Sequence, residues 1–136
     1  MADTLKLEIV TPYATVVSQD VEMVTLPSVA GQIGILPQHV RLITQVEPGE
    51  IVVQAEGHER HLAIGEGIVK VSPSHVVIAT DMAIPAEQID EAMVEEARAR
   101  AEARLREKIA DEEVASVNAS LVRSLAQLQV KRRRRS

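Results

Sequence analysis

Cysteine, phenylalanine and tryptophan are all missing from this chain, and Tyr13 is its one aromatic residue. Without cysteine there is no disulfide framework and no thiolate metal site, which fits a reducing compartment. Without aromatics, any core must be built from Val, Ile, Leu, Ala and Met. The bases of a single-stranded nucleic acid would also find no aromatic platform to stack on. No apolar run approaches the length needed to span a bilayer. The first residues, Met1-Ala2-Asp3-Thr4, lack the basic and apolar regions of a secretory signal, so the protein is expected to stay where it is made. Catalytic signatures are missing too. There is no G-x-S-x-G and no Walker-type loop, and Gly65-Glu66-Gly67 is not followed by a third glycine and a helix. The chain reads as a non-enzyme.

What is present falls into two parts. The 136 residues suffice for one ordinary domain, or for a small domain with an appendage, and 46% apolar content supports a packed core. Residues 1–85 carry four basic and ten acidic groups, whereas residues 86–136 carry eleven basic and ten acidic groups. The two parts therefore present different electrostatic faces. In the first, Leu5, Leu7 and Ile9 alternate with Lys6 and Glu8, the period of a half-buried strand. Residues 13–18 read as the returning strand, with a turn at Gln19-Asp20, and Val21 opens the next strand. Further strands are expected over residues 31–39, 41–46, 51–55, 59–64, 68–71, 75–80 and 82–84. Turn signals at Pro27-Ser28, Pro48-Gly49, Glu56-Gly57-His58 and Ser72-Pro73-Ser74 separate them. About ten short strands at this spacing predict a β-sandwich over residues 1–85.

The pattern changes at Pro85. Beyond it there is no Gly or Pro, and Ala, Glu, Arg and Leu dominate, which favours helix. Ile89, Met93, Ala97, Ala101, Leu105 and Ile109 recur every four residues, a narrow stripe of largely small side chains. Asp111-Glu112-Glu113 reads as a break, with Asp111 the N-cap of a second helix that carries Val114, Val117, Leu121, Leu125 and Leu128 on its apolar face. Two helices with a short link predict an antiparallel hairpin over residues 86–136. Its narrow seam suits a pair that rests on the sandwich and detaches at modest cost.

The four histidines, His39, His58, His61 and His75, show no metal-ligand pattern; His58 and His61 fall on opposite faces of a predicted hairpin, and all four read as surface or turn residues. The basic run Lys131, Arg132, Arg133, Arg134 and Arg135 has three readings: a solvated helix end that complements the dipole, a phosphate-binding tail, or a dock for an acidic protein surface. Taken on these features alone, the chain also fits a β-sandwich adaptor whose basic hairpin binds nucleic acid or an acidic protein.

One stretch adds a resemblance. Gly31-Gln32-Ile33-Gly34-Ile35-Leu36-Pro37-Gln38-His39 is similar to the G-E-x-G-I-L-P-G-H signature of the ε subunit of bacterial F-type ATP synthases, the equivalent of mitochondrial δ. Gln32 stands where Glu is usual and Gln38 where Gly is usual. Residues 21–27, Pro48-Gly49 and residues 65–71 fall where that family has matching strands and turns, so the resemblance spans essentially the whole chain. It implies a non-catalytic rotor subunit of the central stalk of a proton- or sodium-translocating synthase. The sandwich would couple the γ subunit to the c-ring, and the helices would inhibit ATP hydrolysis. It implies a peripheral place on the cytoplasmic face of the inner membrane, with no membrane insertion and no nucleic acid. By matching positions, Pro37 and His39 are candidates for the γ interface, and Gly31 and Gln32 for the loop facing the c-ring. Arg123, Lys131, Arg132, Arg133, Arg134 and Arg135 are candidates for inhibitory contact with the catalytic β subunits. The family's I/L-D-x-x-R-A motif for ATP is degenerate here: Ile89 and Asp90 match, Met93 replaces the Arg and Val94 the Ala. Arg123 matches one helper arginine, and Gln127 stands where another would be. A thioether cannot supply the charge-assisted hydrogen bonds of a guanidinium, so ATP binding by the hairpin is not expected.

Overall fold

A computed structural model describes residues 3–135, with side chains described through residue 133. Among the described residues there are ten strands: β1 (Leu5–Val10), β2 (Thr15–Val21), β3 (Met23–Ser28), β4 (Gly31–Ile35), β5 (Leu42–Val46), β6 (Gly49–Ala55), β7 (His58–Ile64), β8 (Gly67–Ser72), β9 (His75–Thr80) and β10 (Ala83–Pro85). They pair in the order β10-β7-β6-β3-β5-β8-β9-β1-β2, with β4 attached to β3. The ladders are antiparallel except β1 on β9, which runs parallel from Lys6↔His75 to Val10↔Ala79. β3 turns the corner between layers. Its Met23–Thr25 stretch pairs with β6, while Ser28 alone bridges to Val46 of β5. Backbone bonds from Glu47 N to Pro27 O (3.0 Å) and from Val29 N to Gln45 O (3.3 Å) hold that corner. The result is the expected sandwich, closed nearly into a barrel.

The inward positions are aliphatic throughout. Leu5, Leu7 and Ile9 of β1 meet Leu26, Ile35, Ile51, Leu62, Ile64, Val69 and Ile78, all fully buried. Each such side chain contributes roughly 1.5–3 kcal/mol by leaving water. The β6–β7 turn falls on Glu56 and Gly57, both at positive φ (53° and 78°), as a two-residue hairpin requires.

Some sequence boundaries shift. β2 runs straight through Gln19-Asp20, where a turn is expected, and takes Val21 with it. It is an edge strand, with Asp20 opposite Lys6 on the outer face and the half-buried Gln19 opposite Leu7 on the inner one. β6 opens two residues early, at Gly49.

A single 3-10 turn (Ala86–Gln88) leads to α1 (Glu91–Leu105), and α2 (Asp111–Arg135) returns antiparallel along it. The stripe expected along α1 is only partly the buried one: Ile89, Val94 and Ala101 are buried and Met93 is 65% exposed. A strict spacing of four drifts round a helix of 3.6 residues per turn, so Met93 rotates off the seam. Asp111 is the first residue of α2 rather than its cap; Val114 N bonds to Ala110 O (2.9 Å). On α2, Leu128 is buried as expected, but Leu125 is 46% exposed, while Ala126 and Val130 are buried. The last turns of α2 touch the sandwich as well as α1, and that second contact selects Ala126 and Val130.

Tight backbone approach explains Gly67. A Cβ there would lie 2.0 Å from the Ala79 carbonyl oxygen, whereas at Gly34 it would meet only the flexible end of Met23 at 2.8 Å. Gly67→Ala is expected to cost about 3 kcal/mol and Gly34→Ala about 1 kcal/mol or less, read as shifts in urea unfolding midpoint. Equal shifts would show that the β8–β9 ladder adjusts more freely than its geometry indicates.

Candidate functional site

Each layer of the sandwich has an outer face, and the chain treats the two differently. On β6 and β7 the outward residues are Glu50, Val52, His61 and Ala63, and the hairpin lies over them. Ala63 joins Met82, Ala86, Ile89, Val94, Ala126, Leu128 and Val130 in a second apolar cluster separate from the sandwich core. Polar contacts surround this seam. Arg123 Nη1 lies 3.4 Å from Asp81 Oδ2, and Lys131 Nζ donates to the Ala86 carbonyl (3.3 Å). Arg132 reaches α1, with Nε 3.1 Å from Glu91 Oε1 and Nη2 2.7 Å from Glu95 Oε2. Arg133 Nη1 lies 3.0 Å from Glu50 Oε1. So the first three residues of the basic run are each engaged within the chain. The side chains of Arg134 and Arg135 lie outside the described residues.

The other outer face, on β5, β8, β9 and β1, has no such cover. Ile43 and Ile68 point outward from adjacent strands and are 68% and 54% exposed, and Val40 beside them is 74% exposed. A groove of about 650 Å³ opens at the end of this face, lined in part by Val10, Val29, Ile68 and Ala79. The same face carries Lys6, Glu8, Lys70 and His75, with His75 Nε2 3.0 Å from Glu8 Oε1, so its exposed aliphatic residues sit among charges.

The candidates in the 31–39 run are split between the two ends of β4. Gly31, at φ 108°, and the exposed Gln32 form the tip of the β3–β4 hairpin, where Ser28 Oγ donates to Gly31 O (2.7 Å). Pro37 and His39 lie past the far end. There Gln38 N bonds to Pro73 O (2.7 Å), and His39 Nδ1 donates to Val40 O (2.8 Å). Gln38 itself has φ 70°, the left-handed region that glycine occupies without penalty. This is the physical reason a glycine suits that position.

The ATP-motif residues do not converge. Asp90 caps α1, its Oδ1 accepting from Met93 N (3.2 Å), and the Met93 side chain faces solvent. Arg123 turns to Asp81, and Gln127 Nε2 lies 3.3 Å from Met82 Sδ. Near the start of α1, Lys131 and Arg132 are engaged with the Ala86 carbonyl and with Glu91 and Glu95.

Residues 4–86 match the family described as ATP synthase, Delta/Epsilon chain, beta-sandwich domain, and residues 87–132 match ATP synthase, Delta/Epsilon chain, long alpha-helix domain. The chain is 40% identical over 132 residues to the ATP synthase epsilon chain of Herpetosiphon aurantiacus, covering 97% of each. The chain belongs to the ATP synthase delta/epsilon family. It is also 39% identical over 133 residues to the epsilon chain of Alkalilimnicola ehrlichii, across 97% of this chain and 95% of that one. A chain in the structure of the Euglena gracilis mitochondrial ATP synthase (OSCP/F1/c-ring, rotational state 1) shares the fold, with a TM-score of 0.76 at 22% identity over 93% of this chain and 79% of that one. As an epsilon chain, the protein is a non-catalytic stalk subunit and not itself an enzyme.

Sequence reasoning missed two residues. His61 reads as a surface histidine, yet its side chain is only 12% exposed, with Nδ1 3.1 Å from Oε2 of the buried Glu50. The alternation along β7, with apolar Leu62 and Ile64 on the core face, is the signal that His61 faces the opposite layer. What covers that layer is not written in the strand. Among the described residues no cluster could hold a metal ion.

Two outcomes follow. Gln38→Gly is expected to raise stability by about 0.5–1 kcal/mol in urea unfolding, since it relieves left-handed strain. The Glu95 carboxyl is held below its ordinary value of 4.5, first by the hydrogen bond from Arg98 and then by Arg132. A lowered folded value stabilises the hairpin above the ordinary carboxylate range, and that contribution is lost as pH falls through it. Helical ellipticity at 222 nm should therefore decline on acidification below pH 4.5. Glu95→Gln should show a smaller decline from a looser start.

Proposed function

We propose that residues 1–85 couple γ to the c-ring, and that residues 86–136 act as a brake on ATP hydrolysis by the catalytic head. The observation that carries this reading is the unequal treatment of the two outer faces. One is covered by the chain's own hairpin, and the other is exposed, with Ile43, Ile68 and Val40 at its surface. The second face, with Pro37 and His39 at one end, is the proposed γ surface. Gly31 and Gln32, at the hairpin tip, are the proposed c-ring contact, made without the charge of the usual Glu.

The docked hairpin corresponds to the released brake. Its seam is built from small and medium aliphatic residues and from ion pairs that water can replace, so docked and detached forms lie close in free energy. Detached, Arg123 and the run from Lys131 to Arg135 would be available to acidic surfaces of the catalytic β subunits. Such contacts weaken with salt. ATP is not proposed as a ligand, because Met93 faces solvent and Asp90 is committed to capping. The protein would work as a peripheral component on the cytoplasmic face of the inner membrane.

The deciding experiment is ATP hydrolysis by a reconstituted catalytic head with γ, with the full chain or with one ending at Pro85. Several-fold faster hydrolysis with the shorter chain, still bound to γ, is the expected result; equal rates would remove the brake. The pair Ile43→Asp and Ile68→Asp should weaken γ binding about thirtyfold without unfolding the chain. Micromolar ATP affinity by calorimetry would overturn the nucleotide reading.

A further inference from the structure

Glu50 is an anomaly. It stands on the outer face of β6, opposite Ala63 in the ladder, with Val52 and His61 paired two residues along. Its neighbours under the hairpin are aliphatic, and its side chain is 7% exposed. Carboxylates are almost never buried unless paired. Here both oxygens have partners: Oε2 lies 3.1 Å from His61 Nδ1, and Oε1 lies 3.0 Å from Arg133 Nη1. A carboxylate accepts, so His61 Nδ1 carries the proton of that hydrogen bond. Nε2 is buried without a hydrogen bond, 3.4 Å from Glu59 Oε1. The two donors come from different sources. His61 belongs to the sandwich and is always present, whereas Arg133 arrives with the last turn of α2.

We propose that Glu50 and His61 form a receptor on the sandwich for the cationic end of α2, and that this receptor holds the hairpin docked by engaging Arg133, whose side chain stays 64% exposed. The proposal rests on the reading above that the hairpin detaches. In a permanent interface, an aliphatic residue at position 50 would serve as well or better, because desolvating a charge costs more than an apolar contact. A carboxylate suits a surface that is alternately dry and wet. Docked, it is neutralised by Arg133; exposed, it is hydrated and interrupts an otherwise apolar patch.

The flanking residues divide the same work. Lys131 meets the carbonyl of Ala86, Arg132 meets Glu91 and Glu95 of α1, and Arg133 meets β6. Three consecutive cations thus bind three different elements. An acidic surface of another subunit must compete with all three, and Glu50 is the competitor that lies on the sandwich.

The buried pair gives a prediction whose sign is unusual. Arg133→Gln leaves Glu50 buried without its cation, so the hairpin should open. Hydrogen exchange of the α2 amides 126–130 is expected to speed up about tenfold, with Val53 and Leu62 of the sandwich core unchanged. Adding Glu50→Gln removes the uncompensated charge and should bring exchange back to within about threefold of the parent. Unchanged exchange in Arg133→Gln, or a double variant no better docked than the single one, would overturn the receptor. Glu50→Lys separates this from the brake, because it repels Arg133 while leaving the basic run intact. Faster exchange together with stronger inhibition of hydrolysis by the reconstituted head supports both ideas. Faster exchange with hydrolysis unchanged keeps the receptor and rejects the brake. Exchange no faster than the parent rejects the receptor whatever the hydrolysis rate.

Discussion

A β-sheet has two faces, and a sandwich core can hide only one face of each layer. When the outer faces are apolar as well, something else must exclude water from them. This constraint organises the molecule. The β6–β7 layer carries Val52 and Ala63 outward and is covered by α2, with Ala126, Leu128 and Val130 completing a second cluster. The β5–β8 layer carries Ile43 and Ile68 outward and is left exposed.

The two kinds of contact differ in chemistry as well as area. The sandwich core is aliphatic and interlocked, and none of its strands can leave without exposing Leu or Ile. The hairpin seam is smaller and uses three Ala, two Val, one Met, Ile89 and Leu128, bordered by guanidinium–carboxylate pairs such as Arg132 with Glu91 and Glu95. Small side chains lose less on separation than large ones, and exposed ion pairs exchange for water at little net cost. The absence of Phe and Trp extends this softness to the whole chain. Branched aliphatic residues fill the sandwich without the large flat groups that would fix one packing.

Much of the fold was legible. Alternation in β1 and in β8–β9, the Glu56-Gly57 turn, and the change of composition at Pro85 are local signals, and local signals survive in one sequence. What was not legible depends on partners far along the chain. The stripe on α1 named Met93 because a spacing of four is easy to see, but the seam follows the true helical period and takes Val94. Leu125 looked like core and is half exposed, because α2 is steered by the sandwich as well as by α1. Gln19-Asp20 looked like a turn, yet an edge strand accepts polar residues. The family signature located Gly31, Gln32, Pro37 and His39, and the structure places them at opposite ends of β4. For His61 the alternation along β7 signalled only an outward face, and Glu50 carried no signal of its own. Their importance comes from strand register and from where the end of α2 lands.

The parallel pairing of β1 with β9 bears on how the chain is made. Lys6 meets His75, so β1 cannot complete its ladder during synthesis until nearly seventy more residues have followed. At about 5–20 residues per second, that is a wait of several seconds to more than ten. During it, β2 is the only ladder partner of β1, and a lone hairpin is marginal in water. The last strands of the sandwich, rather than β1 and β2, therefore commit the protein to its fold.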